Sequence, residues 1–198
     1  KEGTIRTYFH GLIRAIRACP KPVIAVVDGA AAGFGCDLAL ACDVRLCSDR
    51  ARFGEIFVKR GLISDGGGSF HLARLVGLGR ALDLMFTGEI IGADEAYRIG
   101  IANKVVPSAE LDQVAGEYLQ RLAGGPPIVF RLIKEAVYGA LGGTLDTALE
   151  FEAKSQAKLL GSKDSTKHLH GRSLWPFLAG GKREPSVVLT ESGIMRQA

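Results

Sequence analysis

The chain has 198 residues, 47% of them hydrophobic and 23% charged, with a formal net charge of +4. That balance supplies a full core for one domain or slightly more, and it excludes a disordered or low-complexity protein. No stretch approaches the ~20 uninterrupted apolar residues of a membrane-spanning helix and no secretory signal is readable, so a cytoplasmic protein with no membrane partner is expected.

The first predicted element is a helix, with Ile5, Phe9, Leu12, Ile13 and Ile16 at helical spacing. Cys19-Pro20-Lys21-Pro22 ends it, because two prolines forbid continuation. Opening at Lys1 and entering a helix almost at once, the chain reads as the remainder of a longer one. The largely β-branched run from Pro22 to Val27 suits a strand buried on both faces of a parallel sheet. A Gly-rich link from Gly29 to Gly35 leads into a short apolar helix over about 36–41, and a second strand follows over about 43–47. This is a βαβ-like unit with an unusually short crossover.

Arg52 to Ile56 reads as a brief strand, and Gly66-Gly67-Gly68 opens a helix reaching about Val76. Short helices are expected over 79–86 and 93–99, the second ended by Gly100, and a strand over 101–106 stops at Pro107. Three longer helices follow, over about 109–122, 127–141 and 145–160, with Pro127 in a first turn and Thr144 as an N-cap. A last helix is expected near Ser162. The expected division is an α/β core over 1–106 and a helical region over 107–198, without internal repeats.

Between Lys163 and Arg183 five bases stand against the single acid Asp164, and the rest of the chain carries twenty of each sign. No broad basic face for nucleic acid is therefore expected. The basic segment reads as a solvated helix or as a local patch for an anionic small molecule or acidic partner. Cys19, Cys36, Cys42 and Cys47 show no CxxC spacing, which fits buried free thiols in a reducing compartment. His168 and His170 lack a third ligand at metal spacing, so no metal site is expected, and a lone His71 reads as packing or surface.

Glycine is the compositional outlier, at 26 residues. Its densest use is Gly29-Ala30-Ala31-Ala32-Gly33-Phe34-Gly35, running from a strand into a helix N-terminus, where small residues and free N–H groups admit a polar ligand. Three readings compete. A dinucleotide fingerprint starting at Gly33 fails at Leu38 and has too short a crossover, although Asp49 imitates the expected ribose acid. Small residues packing a helix on a sheet is the second. The third is an oxyanion hole in which the backbone N–H of Phe34 or a neighbour polarises a carbonyl. The loop alone leaves all three open.

The surrounding residues bear on the choice. Lys21-Pro22-Val23-Ile24-Ala25-Val26-Val27-Asp28-Gly29, then Gly33-Phe34-Gly35-Cys36-Asp37-Leu38-Ala39-Leu40-Ala41-Cys42-Asp43, closely resembles the enoyl-CoA hydratase/isomerase (crotonase) family. The resemblance continues through Phe53-Gly54, Gly61-Leu62-Ile63-Ser64-Asp65-Gly66-Gly67, Leu75-Val76-Gly77, Thr87-Gly88, Gly100-Ile101-Ala102 and Val105-Val106-Pro107. It covers about residues 12–160; beyond Lys163 the match is loose, and His168 to Pro176, with Trp175, fits no part of it. It implies an α/β fold, a spiral of ββα turns followed by a helical C-terminal oligomerisation region. It also implies acyl-CoA thioester substrates, a homotrimer or dimer of trimers, and no cofactor apart from the coenzyme A of the substrate. In that family two backbone N–H groups hold the thioester carbonyl. One falls on Phe34, with Gly33 and Gly35 beside the substrate; the other belongs to an N-terminal part not among these residues.

Enolising an acyl thioester needs carboxylates in an apolar cleft, where burial raises their pKa toward neutrality. Hydratases of the family resemble one another in carrying two glutamates, at the positions of Asp37 and Phe57 here. Asp37 keeps an acid of shorter reach, catalytic or orienting, or else an ordinary surface acid. Phe57 cannot transfer a proton and is expected to fill the acyl cleft. Asp65 resembles the proton-shuttling carboxylate of members that move double bonds, the dienoyl-CoA and ring-1,2-epoxyphenylacetyl-CoA isomerases; the competing reading makes it a cap on the helix opened by Gly66. The expectation is an enoyl-CoA isomerase working through Asp65 and Asp37. A hydratase and a non-catalytic acyl-CoA-binding protein are the alternatives.

Overall fold

The computed structural model describes residues 2–160, Ser162 and the strand residues 188–190 and 193–195. The helix expected near Ser162, the basic segment, His168, His170 and Trp175 lie outside the described residues. The chain divides into two compact units, Lys1–Gly125 and Pro126–Ala198.

In the first unit the opening helical stretch comprises α1 (Glu2–Thr4), a π-helical turn (Ile5–Phe9) and α2 (His10–Ala18), and Cys19 turns to extended backbone before Pro20. Then come β1 (Ile24–Val27), β2 (Ala30–Ala32), α3 (Phe34–Ala41), β3 (Val44–Ser48) and β4 (Arg52–Gly54). A 3-10 turn (Ile56–Arg60) and the helices α4 (Gly68–Val76) and α5 (Leu78–Thr87) follow. The unit closes with β5 (Ile91–Gly92), α6 (Ala93–Arg98), β6 (Lys104–Val106), a 3-10 turn (Ser108–Glu110) and α7 (Leu111–Ala123).

The strands form two small sheets. One has the order β1-β3-β6, all parallel, and the other β2-β4-β5, with β4 and β5 antiparallel. Each pass of the chain gives one strand to each sheet: Ile24 lies opposite Val44 in the first and Ala30 opposite Arg52 in the second. This is the expected α/β spiral of ββα turns, with α3 as its short crossover. The strand read over 52–56 stops at Gly54, because the chain turns at Glu55 into the 3-10 turn. The strand read from 101 begins only at Lys104, because the N–H groups of Ile101 and Ala102 fold back onto the Ala96 carbonyl.

Helix α3 buries Cys36, Asp37, Ala39, Leu40 and Ala41, so it is enclosed on nearly every side. It joins a core that includes Phe53, Leu72 and Ile101, each about 1% exposed. A second cluster forms where Leu111 and Ala115 of α7 pack on Leu46, so by its packing α7 is part of the first unit. Buried Arg45 donates to the carbonyls of Ile101, Cys42 and Ala39 and to the Asn103 side chain, tying the end of α3 to the approach to β6. The Ala39 and Cys42 carbonyls stand at the negative end of the α3 dipole, which suits a guanidinium.

The second unit holds α8 (Pro127–Ala140), α9 (Leu145–Leu160) and the antiparallel pair β7 (Val188–Thr190) and β8 (Gly193–Met195). Pro127 stands in the first turn of α8, and Thr144 Oγ1 accepts the Thr147 N–H at 3.3 Å as an N-cap does. Neither α8 nor α9 fully buries a side chain, and Ile133, Val137, Leu145 and Leu149 are all more than half exposed. Among the described residues no helix is long and apolar enough to cross a membrane.

Among the described residues Phe53 is the largest fully buried side chain, and it sits on the strand that leads to the site. Phe53→Ala is expected to cost about 3–5 kcal/mol, the range for emptying a buried aromatic position, read as a fall in the urea midpoint.

Candidate active site

The β2–β4 ladder sets the site, because it brings the residues that follow each strand side by side. Ala32 lies opposite Gly54, and the Gly33 N–H donates to the Gly54 carbonyl at 2.8 Å. Gly33 has φ +55°, a left-handed backbone that a side chain would strain, and its carbonyl accepts the N–H groups of Cys36 and Asp37. The turn leaves the N–H groups of Phe34 and Gly35, at the start of α3, without an acceptor among the described residues. Phe57, on the 3-10 turn, brings its ring to 3.8 Å from where a Cβ on Gly33 would stand. Sequence reasoning placed Gly33, Phe34, Gly35 and Phe57 beside the substrate, and the fold does bring these four together.

Asp37, one turn into α3, is fully enclosed (0% exposed), which corrects the reading of it as a surface acid. Its carboxylate is occupied: Ser64 Oγ donates at 2.9 and 3.1 Å to its two oxygens, and the Gly66 N–H donates at 2.8 Å. Burial pushes its pKa up, and the hydrogen bonds from Ser64 and Gly66 oppose that rise. The loop 64–68 is thereby clasped onto α3. The fit is tight enough to require glycines: a Cβ on Gly66 would meet the Asp37 side chain at 2.6 Å, and one on Gly68 would stand 2.3 Å from Asp37 Oδ1.

Asp65 rides on this loop, partly exposed, with Oδ1 buried and without a hydrogen-bond partner. It does not cap α4. That helix starts at Gly68 behind Gly67, without a side-chain cap, and the Gly68 N–H goes to Ser64 Oγ at 2.9 Å. The loop geometry therefore overturns the capping reading, because Asp65 stands three residues ahead of the first helical N–H. The charge of Asp65 helps push up the pKa of both Asp37 and Glu55, so the three carboxyl groups share one neighbourhood. His71, on α4, is buried edge-on to Phe70 (ring centroids 5.2 Å apart), and burial pushes its pKa down to about 4, as for a neutral packing residue. Among the described residues no group of three or more His, Cys, Asp or Glu side chains is placed to hold a metal ion.

Two residues of the cluster escaped sequence reasoning. Ser64 lay inside a quoted run without a role. Glu55 was read only as part of a strand, yet strand parity carried the signal, because residues two apart share a face and Phe53 is plainly a core residue. Glu55 is 3% exposed, and burial and then the charge of Asp37 push its pKa up to about 8. The groove of about 620 Å³ between α8 and α9 lies in the second unit and carries none of these residues.

Comparison with known proteins agrees with this fold. Residues 1–177 match the family model for enoyl-CoA hydratase/isomerase, and the chain belongs to that family. It is 40% identical over 153 residues to a short-chain-enoyl-CoA hydratase of Clostridium acetobutylicum, covering 77% of this chain and 59% of that protein. It is 37% identical over 153 residues to the 1,2-epoxyphenylacetyl-CoA isomerase of Escherichia coli K12, covering 77% and 58%. An enoyl-CoA hydratase candidate of Thermobifida fusca YX, solved in complex with acetoacetyl-CoA, superposes with a TM-score of 0.77 at 34% identity, covering 80% of this chain and 62% of that one. The chain spans about three fifths of the length of these relatives.

Gly68→Ala is expected to cost about 1–3 kcal/mol, because the added methyl group meets buried oxygens of Asp37, Glu55 and Ser64. Ser64→Ala, which removes a donor to Asp37 and the acceptor of the Gly68 N–H, is expected to cost about 1–3 kcal/mol. Urea denaturation of both variants checks the pair.

Proposed function

We propose that the protein is an acyl-CoA thioester enzyme that shifts a carbon–carbon double bond through a stabilised enolate, an enoyl-CoA isomerase. The observation that carries this reading is the contrast between its acids. Asp37 is sealed and already accepts from two donors, the Ser64 hydroxyl and the Gly66 N–H, whereas Asp65 is partly exposed and has an oxygen with no donor among the described residues. Phe57 adds to it: the position that holds the second glutamate in the hydratase pattern carries a ring that cannot move a proton. One available carboxylate suits a shuttle that takes and returns the same proton. Two-carboxylate addition of water suits this site less well.

In the proposed reaction the Asp65 carboxylate removes the C2 proton of a 3-enoyl thioester. Electrons move into the thioester carbonyl, and the Phe34 N–H, aided by the positive end of α3, holds the resulting oxyanion. Protonated Asp65 then returns the proton to C4, the double bond settles between C2 and C3, and the carboxylate is regenerated. Asp37 orients the loop from behind, and Gly33, Gly35 and Phe57 line the acyl group. Hydration of a 2-enoyl thioester is the second reading, favoured by the likeness to the Clostridium acetobutylicum hydratase.

The two readings separate on substrates and on one variant. The protein is expected to isomerise a 3-enoyl-CoA faster than it hydrates crotonyl-CoA. Asp65→Asn is expected to lose at least about 100-fold in isomerisation rate while staying folded. A near wild-type rate in that variant overturns the shuttle, and faster hydration favours the second reading.

The apolar surface of α8 and α9 suits self-association into a homotrimer or dimer of trimers, since exposed apolar patches of this kind are rare on monomers. Sedimentation velocity at micromolar concentration is expected to show an oligomer; a 21.0 kDa monomer alone would contradict it.

A further inference from the structure

Glu55 has no part in the mechanism above, yet it is the most confined acid of the site after Asp37. It follows β4 on the face that buries Phe53; the weakly donating Cys36 thiol lies beside its carboxyl group, and no N–H or O–H donor reaches either oxygen among the described residues. The groups facing it are Asp37 and the Cys36 thiol from α3, Asp65 and Ser64 from the clasped loop, and Glu89 just ahead of β5. The rest of its surroundings are apolar, including Phe53, Leu72 and Ile101. Ionised, Glu55 would stand unsolvated beside a second buried carboxylate with no cation among those neighbours. Protonated, it becomes a donor. Its Oε1 and Asp37 Oδ1 converge on Gly68, at 2.8 and 2.3 Å from the position a Cβ there would take.

We propose that Glu55 is a positioning residue that keeps its proton at neutral pH and donates it in a hydrogen bond to the ionised Asp37 carboxylate. The proton resides on Glu55 because Asp37 accepts from Ser64 and Gly66, which favours its charged form, and Glu55 accepts from neither. Asp37 is then held as an anion by donors from three directions, and the loop that carries Asp65 hangs from it. When Glu55 ionises, two adjacent buried anions repel behind that loop and the clasp loosens. The consequence for Asp65 rests on the isomerase reading; the proton on Glu55 does not.

Infrared difference spectroscopy across neutral to alkaline pH tests the proton directly. The wild-type protein is expected to show the carbonyl band of a protonated carboxylic acid at neutral pH, lost as pH rises through about 8. Glu55→Gln is expected to lack that band. In Asp37→Asn the band's midpoint is expected to fall by about one pH unit or more, since the neighbouring charge is gone. Absence of the band from the wild type, its persistence in Glu55→Gln, or an unmoved midpoint in Asp37→Asn overturns the proposal. If Glu55→Gln does not fold, the wild-type and Asp37→Asn titrations still decide it.

Thermal melting gives a second readout. The folded pKa of Glu55 lies above its ordinary value of 4.5, so the folded state keeps a proton that the unfolded chain has released, and stability falls as pH climbs from 4.5 toward about 8. The melting temperature of Glu55→Gln relative to wild type is therefore expected to rise over that window and level off above it; a difference that does not change with pH counts against the proposal. Neither measurement needs turnover, so a protein that fails to isomerise enoyl thioesters leaves this result standing.

Discussion

A carboxylate with no exposure to solvent holds the site together. Burying the Asp37 carboxyl group is costly, and Ser64 and Gly66, which donate to it at 2.8–3.1 Å, offset that cost; such bonds to a carboxylate are roughly twice as strong as neutral ones. Each donor is also committed elsewhere. Ser64 accepts the first N–H of α4, and Gly66 can approach only because it has no side chain. The clasp thus fixes at once the path of the loop, the start of α4 and the placement of Asp65. Loosening any member moves the others, since the atoms are already near contact distance.

The spiral supplies the frame for that clasp. Because β2 and β4 run parallel in adjacent turns, the segments leaving them, one into α3 and one into the 3-10 turn, emerge side by side. Residues about twenty apart in sequence thereby meet: the N–H groups of Phe34 and Gly35, the Phe57 ring, and the Asp37–Glu55 pair. Arg45 braces the other end of α3, so the helix is held at both termini and its first turn cannot rotate away from the loop. The turn at Gly33 leaves the N–H groups of Phe34 and Gly35 without an acceptor among the described residues.

Much of the scaffold was readable from local pattern. The β-branched run before Asp28, the proline pair ending α2, the Thr144 cap and the bounds of α9 each follow from short-range chemistry, and α9 matches to the residue. The misreadings occurred where distant parts of the chain compete for the same groups. The strands over 52–56 and 101–106 came out shorter because Glu55 turns the chain away and the Ala96 carbonyl captures two N–H groups. Three successive glycines at 66–68 marked a helix start, but which of them begins the helix depended on Ser64.

By itself the sequence determined the order of elements, the glycine turn into α3 and the presence of acids at 37 and 65, because those rest on periodicity and on residue types with few alternative uses. Only the tertiary structure decided what each acid does. A carboxyl group's role follows from how many donors reach it and how much water remains around it, and neither is a property of its neighbours in sequence. Asp37 became a clasp because two donors from residues 64–66 close over it. Asp65 kept an oxygen without a partner because the first N–H of α4 goes to Ser64 instead. Glu55 joined the cluster because strand β4 turned its face inward, and packing alone made a buried acid out of a residue that reads as an ordinary strand end.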